Sequence, residues 1–261
     1  AGAVEDYMNI IVLTRQVKAA DEVKCDFTGI EAAVRFKEQV KAKTPAAECQ
    51  ISVLVLGYKE SAVKQVKDAV AMGCDCGWAV EDENLFQLDA WSCAMAFAEA
   101  LKDWSESPQN KDSRSSGFDL IISGGFPLDA DTVPIGLLTA CLLKIPFVSN
   151  VENIVLDTED SFQVVRKGDG ILQKLRVKKP CLMSVLPHPE APIYKTIAGI
   201  NKAYSQEVEK TAVNITKDNN KIEILSGIGT NPRKRGTVLT AVSTDEVVNA
   251  MISKMAESHL L

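Results

Sequence analysis

The sequence predicts an α/β domain with a doubly wound, mainly parallel sheet. Short runs of consecutive apolar residues alternate with segments of helical periodicity, which is typical of parallel strands joined by crossover helices. The composition, 46% apolar and 25% charged over 261 residues, is that of a globular chain. At this length we expect one large domain, or one domain with an appended arm.

The predicted elements alternate regularly through the first half of the chain. Residues 9–14, Asn-Ile-Ile-Val-Leu-Thr, have four consecutive apolar residues at their centre, which indicates a buried strand. Residues 29–44 have helical spacing, with Ile30 and Val34 on the apolar side and Lys37 and Lys41 on the solvated side. The elements that follow are strand 50–56, helix 61–72, strand 77–80, helix 88–104, strand 118–122, helix 132–143 and strand 145–148.

The pattern changes after residue 150. Three short strands are expected at 151–156, 162–167 and 171–177, the last two joined by a Gly-Asp-Gly hairpin signal. A further strand over 181–186 leads into a loop with three prolines, beyond which the chain looks extended until Ser243 or Thr244 caps a final helix. We therefore expect a nucleotide-binding α/β domain over residues 8–204, and an arm and helix packed on a partner over 205–261.

Charge and cysteine usage exclude several classes of protein. A net charge of −6 argues against nucleic acid and anionic membranes as partners. No run reaches the roughly 18 apolar residues of a membrane span, and the apolar segment 134–148 is expected to be a buried helix. Residues 1–7 resemble no secretory signal. Residues 105–117 are a polar insertion, and we expect them to form a mobile surface loop. The seven cysteines lack paired spacing, so we expect core thiols in a reducing compartment and no metal site.

Residues 118–136 contain the most informative motif. A buried strand ends at Gly124 and Gly125, crosses a short loop, and enters a helix through Asp131 and Thr132. Glycines at the end of a strand let a ligand approach the backbone, and the free N–H groups of the next helix can bind an anion. Nucleotides bind at this place in Rossmann-like sheets. An equally good interpretation is that Asp131 or Thr132 only caps the helix.

No known catalytic motif accompanies this turn. The sequence has no Gly-x-Ser-x-Gly elbow, no Walker lysine loop, and no Gly-x-Gly-x-x-Gly after the first strand. Ser123-Gly124-Gly125 matches the first half of the pyrophosphate loop of adenine nucleotide alpha hydrolases, but the following Phe-Pro-Leu departs from it. We therefore expect nucleotide binding without bond chemistry.

Six segments, in order along the chain, carry a resemblance to a known family. They are residues 9–17, 29–38, 68–75, 128–136, 189–197 and 231–236. The second reads Gly-Ile-Glu-Ala-Ala-Val-Arg-Phe-Lys-Glu, close to a helix that ends Glu-Glu-Ala-Val-Arg-Leu-Lys-Glu in that family. The fourth contains Asp-Ala-Asp-Thr, close to the Asp-Gly-Asp-Thr of a nucleotide loop. Together they resemble the beta subunit of electron transfer flavoproteins.

The resemblance implies a non-catalytic electron carrier. Such beta subunits pair with an alpha subunit that holds most of the redox FAD, and bind AMP, or a second FAD in electron-bifurcating members. Their C-terminal arm wraps the alpha subunit, and they dock acyl-CoA dehydrogenases or other oxidoreductases. The compartment would be a bacterial cytoplasm, or a mitochondrial matrix in a eukaryote.

The resemblance also implies individual site residues. Nucleotide contacts would fall at Leu13, Cys25, Asp26, Phe27, Thr28, Gly57, Gly124, Gly125, Asp129, Asp131, Thr132, Val133 and Ile135. Ile197 stands where the family inserts a leucine into its redox partner, although packing within its own subunit is an equal alternative.

Two departures from the family keep other functions open. The hairpin that precedes Cys25 in the family is largely missing, and Val133-Pro134-Ile135 lacks the side-chain donors and one N–H of the family's loop. The alternatives are a degenerate member that has lost its nucleotide, a stand-alone adenine-nucleotide module, and an enzyme that uses the nucleotide as substrate.

Overall fold

Strands and helices alternate between residues 28 and 158 of the described chain, as the apolar periodicity predicts, and four strands follow one another between residues 147 and 185. The computed structural model describes residues 7–19, 22–106, 117–124, 135–188, 192–222 and 243–257. The strands are β1 Tyr7–Ala19, β2 Glu22–Cys25, β3 Glu48–Gly57, β4 Cys76–Glu81, β5 Leu120–Gly124, β6 Phe147–Thr158, β7 Ser161–Lys167, β8 Leu172–Lys178, β9 Cys181–Val185 and β10 Glu209–Thr211. The helices are α1 Thr28–Lys43, α2 Glu60–Met72, α3 Ala90–Glu106, α4 Ile135–Leu143, α5 Ile197–Ser205 and α6 Thr244–Glu257.

The strands form one mixed sheet, and the predicted fold class is confirmed. Its order is β10-β4-β3-β1-β5-β9-β6-β7-β8, with β2 paired to β1. The pairs from β10 to β6 are parallel, whereas β6–β7, β7–β8 and β1–β2 are antiparallel. The order reverses at β1, which has β3 on one side and β5 on the other. In a sheet of this kind a crevice forms beyond the carboxyl ends of those strands.

Helices cover both faces of the sheet because its central strands are apolar on both sides. Ile10 and Val12 of β1 join the core that α1 and α2 cover, while Ile11 and Leu13 join the core under α3 and α4. Side chains on a strand alternate between faces, so a continuous apolar run is what a two-sided core requires.

Helix α4 differs from the prediction of a buried helix. Leu137 is 36% exposed and Cys141 is also exposed, whereas Thr139 and Ala140 are buried. A sheet covers only one side of a helix, so a helix that is apolar all round leaves part of its surface outside. The prediction of a buried helix was therefore wrong for Leu137 and Cys141.

Two smaller differences concern strands. Two strands were expected between residues 145 and 156, but β6 runs on through an irregularity at Asn150, which has a φ of 55°. Before Cys25 only a short hairpin is present, in which the end of β1 pairs with the four residues of β2. Strand β10, which the sequence did not predict, adds to the free edge of β4.

Helix α5 was also missed, and tertiary contacts hold it in place. The Thr196 side chain accepts a hydrogen bond from the Gly199 N–H at 2.9 Å and caps the helix. A Cβ added at Gly199 would overlap the carbonyl oxygen of Ala71, so the first turn of α5 lies against the end of α2. This close approach requires glycine.

The cysteine prediction is confirmed for most of the thiols that the structure describes. Cys49, Cys74, Cys93 and Cys181 are buried, and burial raises the pKa of Cys49 to about 11 and that of Cys181 to about 12. Among the described residues, no cluster of three metal-binding side chains is found. None of the described helices has the length and apolarity needed to cross a bilayer.

The contacts divide the chain into two units, Ala1–Ile222 and Glu223–Leu261. The first unit includes β10 and a short turn of 3₁₀ helix at Lys217–Asn219, so it extends beyond residue 204. In the second unit the Ser243 side chain accepts a hydrogen bond from the Glu246 N–H, which confirms the predicted helix start. Residues 107–116 and 223–242 lie outside the described residues.

The end of the first unit is anchored at the start of α3. The Asp89 carboxylate accepts hydrogen bonds from the N–H groups of Ser92 at 2.8 Å, Lys221 at 2.6 Å and Ile222 at 3.0 Å. The Asn220 amide donates to the Gln87 carbonyl oxygen at 2.7 Å. Burial raises the pKa of Asp89, but the hydrogen bonds outweigh burial and leave that pKa below its usual range.

Asp89 should therefore stabilise the fold at neutral pH and cease to do so in acid. A lowered pKa in the folded state contributes stability above the unfolded pKa, and this stability is lost as the pH falls through the folded pKa. We expect Asp89→Asn to lower the midpoint of urea unfolding at about pH 7, and this deficit to shrink towards about pH 3. Asp103→Asn, an exposed change on the same helix, is the control. A deficit that is independent of pH would contradict the prediction.

Candidate functional site

The predicted crevice lies where β1, β3 and β5 end. Leu13 of β1 is buried between Leu54 of β3 and Ser123 of β5, which are its register partners. The next residue, Thr14, donates a side-chain hydrogen bond to the backbone oxygen of Asp26 at 3.0 Å. This hydrogen bond holds the turn between β2 and α1 against β1.

Asp26 is fixed at the bottom of that turn. Its Oδ1 accepts a hydrogen bond at 2.9 Å from the backbone N–H of Thr28, the first residue of α1. A Cβ added at Gly124 would overlap Oδ2 of Asp26, and a Cβ added at Gly29 would lie 3.5 Å from the Gly124 nitrogen. The Asp26 carboxylate and the first turn of α1 are therefore both in close contact with the end of β5.

Ser123 contributes a polar atom that the sequence analysis noted only as part of a motif. Its Oγ is buried and has no hydrogen-bond partner among the residues that the structure describes. A Cβ added at Gly136 would lie 2.5 Å from this oxygen, so the first turn of α4 packs directly on Ser123. A buried hydroxyl normally has a partner, and one without a partner at the end of a strand suits a ligand that can accept or donate a hydrogen bond.

Gly57 ends β3 at the other side of the crevice. A Cβ there would lie 2.5 Å from the Ala62 Cβ, so α2 can pack this closely against the end of β3 only if residue 57 is a glycine. Oε1 of Gln16 accepts hydrogen bonds from the Tyr58 N–H at 2.8 Å and the Ser61 hydroxyl at 2.9 Å, and fixes the turn. The Tyr58 ring stacks on the Phe86 ring at 5.4 Å, an aromatic pair that the sequence analysis did not single out.

The structure brings together part of the predicted site. Asp26, Thr28 and Gly124 are in direct proximity, whereas Phe27 packs partly buried against the core under α1 and α2. Cys25 pairs with Gln16 in the short hairpin, and Ile135 is the first residue of α4. The predicted contacts that lie outside the described residues are Gly125, Asp129, Asp131, Thr132 and Val133.

Ile197, the predicted docking residue, begins α5 and is 81% exposed. Its neighbours hold the segment on α2: Lys195 forms an ion pair with Asp68 at 2.7 Å, and the Thr196 N–H donates to the Ala71 carbonyl oxygen at 3.3 Å. Tyr194, just before it, is 76% exposed. The segment therefore presents apolar side chains to solvent from a fixed backbone.

Comparison with known proteins supplies the family. A model of the electron transfer flavoprotein domain matches residues 10–216, well over half of the chain. The chain is 22% identical to the caffeyl-CoA reductase-Etf complex subunit CarD of Acetobacterium woodii, an alignment that covers 97% of this chain and 100% of that protein. It is 23% identical, with the same coverage, to the electron transfer flavoprotein subunit beta of Thermoanaerobacterium thermosaccharolyticum. The resemblance found in the sequence is confirmed, and the chain belongs to the electron transfer flavoprotein family.

Proposed function

We propose that the chain is the beta-like subunit of a heterodimeric electron transfer flavoprotein. It binds AMP or FAD beyond the carboxyl ends of β1, β3 and β5, and pairs with an alpha-like subunit that holds the redox FAD. It carries out no bond chemistry of its own, and it works in a bacterial cytoplasm or a mitochondrial matrix. The observation that supports the nucleotide proposal is the reversal of strand order at β1, because sheets of this kind bind ligands in a crevice beyond the strand ends at such a point.

The residues around the crevice fit an adenine nucleotide. The buried Ser123 hydroxyl at the end of β5 can form a hydrogen bond to a ligand. Tyr58 and Phe86 form an aromatic pair next to Gly57, where they can contact an adenine ring. When bound, the redox flavin of the heterodimer supplies the electron transfer, while this chain positions the flavin-bearing partner.

Two exposed apolar surfaces support the proposed partners. In the second unit, Val248, Met251, Ile252 and Met255 of α6 are all at least 39% exposed and are spaced along one helical face. We propose that the alpha-like subunit covers this face. We propose that an oxidoreductase, such as an acyl-CoA dehydrogenase, docks on Ile197. One relative is named as a subunit of a reductase-Etf complex, which supports an oxidoreductase as partner.

A second candidate is a family member that keeps the heterodimer and has lost its nucleotide. The observation that favours it is the Asp26 carboxylate, which fills the space over Gly124 where a ligand could otherwise approach the backbone.

Identification of the bound nucleotide tests the proposal. The chain is purified with its partner subunit under mild conditions and denatured, and the released compounds are identified by chromatography and absorbance. We expect AMP or FAD in a ratio of about one nucleotide per crevice, in addition to the flavin of the partner. A well-folded heterodimer that releases no nucleotide beyond the partner's flavin would support the second candidate instead.

A further inference from the structure

We propose that Asp26 determines which nucleotide the crevice accepts, by opposing phosphate charge at the end of β5. The inference rests on the proposed nucleotide site. Asp26 favours ligands that bind mainly through their adenosine group. Among these ligands it favours those with one phosphate group over those with two. AMP is then favoured over a pyrophosphate-bearing ligand such as ADP or FAD.

The geometry holds the carboxylate in the place that a phosphate would use. The turn is fixed from one side by the Thr14 hydroxyl, which donates to the Asp26 carbonyl oxygen. It is fixed from the other side by the Thr28 N–H, which donates to Oδ1. Oδ2 is thereby directed onto Gly124, where even a Cβ would overlap it.

The Asp26 carboxylate occupies two features that normally bind phosphate, the space above a glycine at a strand end and the N-terminus of a helix. A glycine at a strand end admits a ligand only if the space above it is open, and the space above Gly124 contains Oδ2. The N-terminus of α1 attracts an anion, and its first N–H already bonds to the Asp26 carboxylate. A ligand phosphate would have to displace this carboxylate or lie beside it.

The expected cost is large enough to measure. Two like charges about 4 Å apart repel strongly enough to weaken binding about fivefold even at the dielectric constant of water, and a second phosphate adds to this. An uncharged adenosine does not experience the repulsion. The ribose hydroxyls can even donate hydrogen bonds to a carboxylate, as they do in dinucleotide-binding sheets.

The variant Asp26→Asn separates this role from helix capping. Asparagine keeps an acceptor oxygen for the Thr28 N–H and nearly the same volume, so the turn is preserved while the charge is removed. Asp26→Ser, which also keeps a capping oxygen, is a second variant. Asp169→Asn, in the exposed turn between β7 and β8, removes one charge far from the crevice and is the control.

The experiment measures the affinities of adenosine, AMP and ADP for nucleotide-stripped heterodimer by titration calorimetry at low salt. For Asp26→Asn we expect AMP affinity to rise about fivefold and ADP affinity to rise more, while adenosine affinity stays within about twofold. The gain should shrink when the salt concentration is raised, because ions screen the repulsion. The control should match the unchanged protein.

Two results would overturn the inference, and they differ from failure of the proposed function. If Asp26→Asn changes adenosine and AMP affinity by the same factor, or changes neither, Asp26 does not select by charge although the nucleotide site stands. If no adenosine compound binds to either protein, the nucleotide site itself is wrong, and the inference falls with it.

Discussion

Replacing Ile197 with aspartate should slow electron transfer from the proposed oxidoreductase partner to the flavoprotein at least tenfold, by about 1.5–3 kcal/mol of lost apolar burial and more from the buried charge. The side chain is 81% exposed, so it offers a partner nearly its whole surface. A residue that fills a pocket at the centre of a small interface contributes much of the binding energy. The effect should appear in kcat/KM for reduction of the flavoprotein by its partner.

The folded structure should be unaffected by this substitution. Segment 194–197 is held by the Lys195–Asp68 ion pair and by the backbone bond from Thr196 to Ala71, neither of which involves the Ile197 side chain. Ile171→Asp is the matched control, because Ile171 is 55% exposed and lies on the β7–β8 hairpin. Equal rates for the two variants would show that the partner docks elsewhere.

Replacing Phe162 with alanine should strongly destabilise the first unit. Phe162 of β7 is fully buried, and its ring meets the Phe36 ring of α1 edge to face, with centroids 5.9 Å apart. Truncation of such a residue typically costs about 3–5 kcal/mol, through lost burial and the cavity that remains. The free energy of unfolding, measured in urea, should fall by this amount.

An exposed aromatic residue serves as the control that isolates the contribution of burial. Tyr194 is 76% exposed, so Tyr194→Ala should change stability by less than about 0.5 kcal/mol. Phe162→Leu should fall between the two variants. If Phe162→Ala cost no more than Tyr194→Ala, the Phe162 ring would not be buried against Phe36 of α1 as described.

The proposed docking and nucleotide sites lie on different parts of the first unit. The proposed nucleotide site is at the carboxyl ends of β1, β3 and β5, whereas Ile197 is on α5 against the end of α2. The two sets of variants should therefore act independently. Asp26→Asn is expected to change nucleotide affinity without affecting docking, and Ile197→Asp is expected to do the reverse.

Much of the architecture could be read from local sequence. Strands β1, β3 and β5 each contain a continuous apolar run, at 10–13, 53–56 and 120–122, and α1 and α2 each have one apolar side. The type of each of these elements therefore follows from the local periodicity of apolar residues. The glycine at the end of β5 then predicted where a crevice would form. The elements that were missed are short: α5 contains a glycine, and β10 has only three residues. Helix α5 depends for its stability on its contact with α2, and β10 depends on its pairing with β4.

Periodicity was thus sufficient for the fold class. They could not show that Asp26 lies over Gly124, that the Ser123 hydroxyl is buried without a described partner, or that Ile197 is exposed. Each of these depends on residues distant in sequence meeting through strand register and helix docking. Apolar spacing is a property of neighbouring residues, whereas the chemistry of this site arises from which turns the completed sheet brings together.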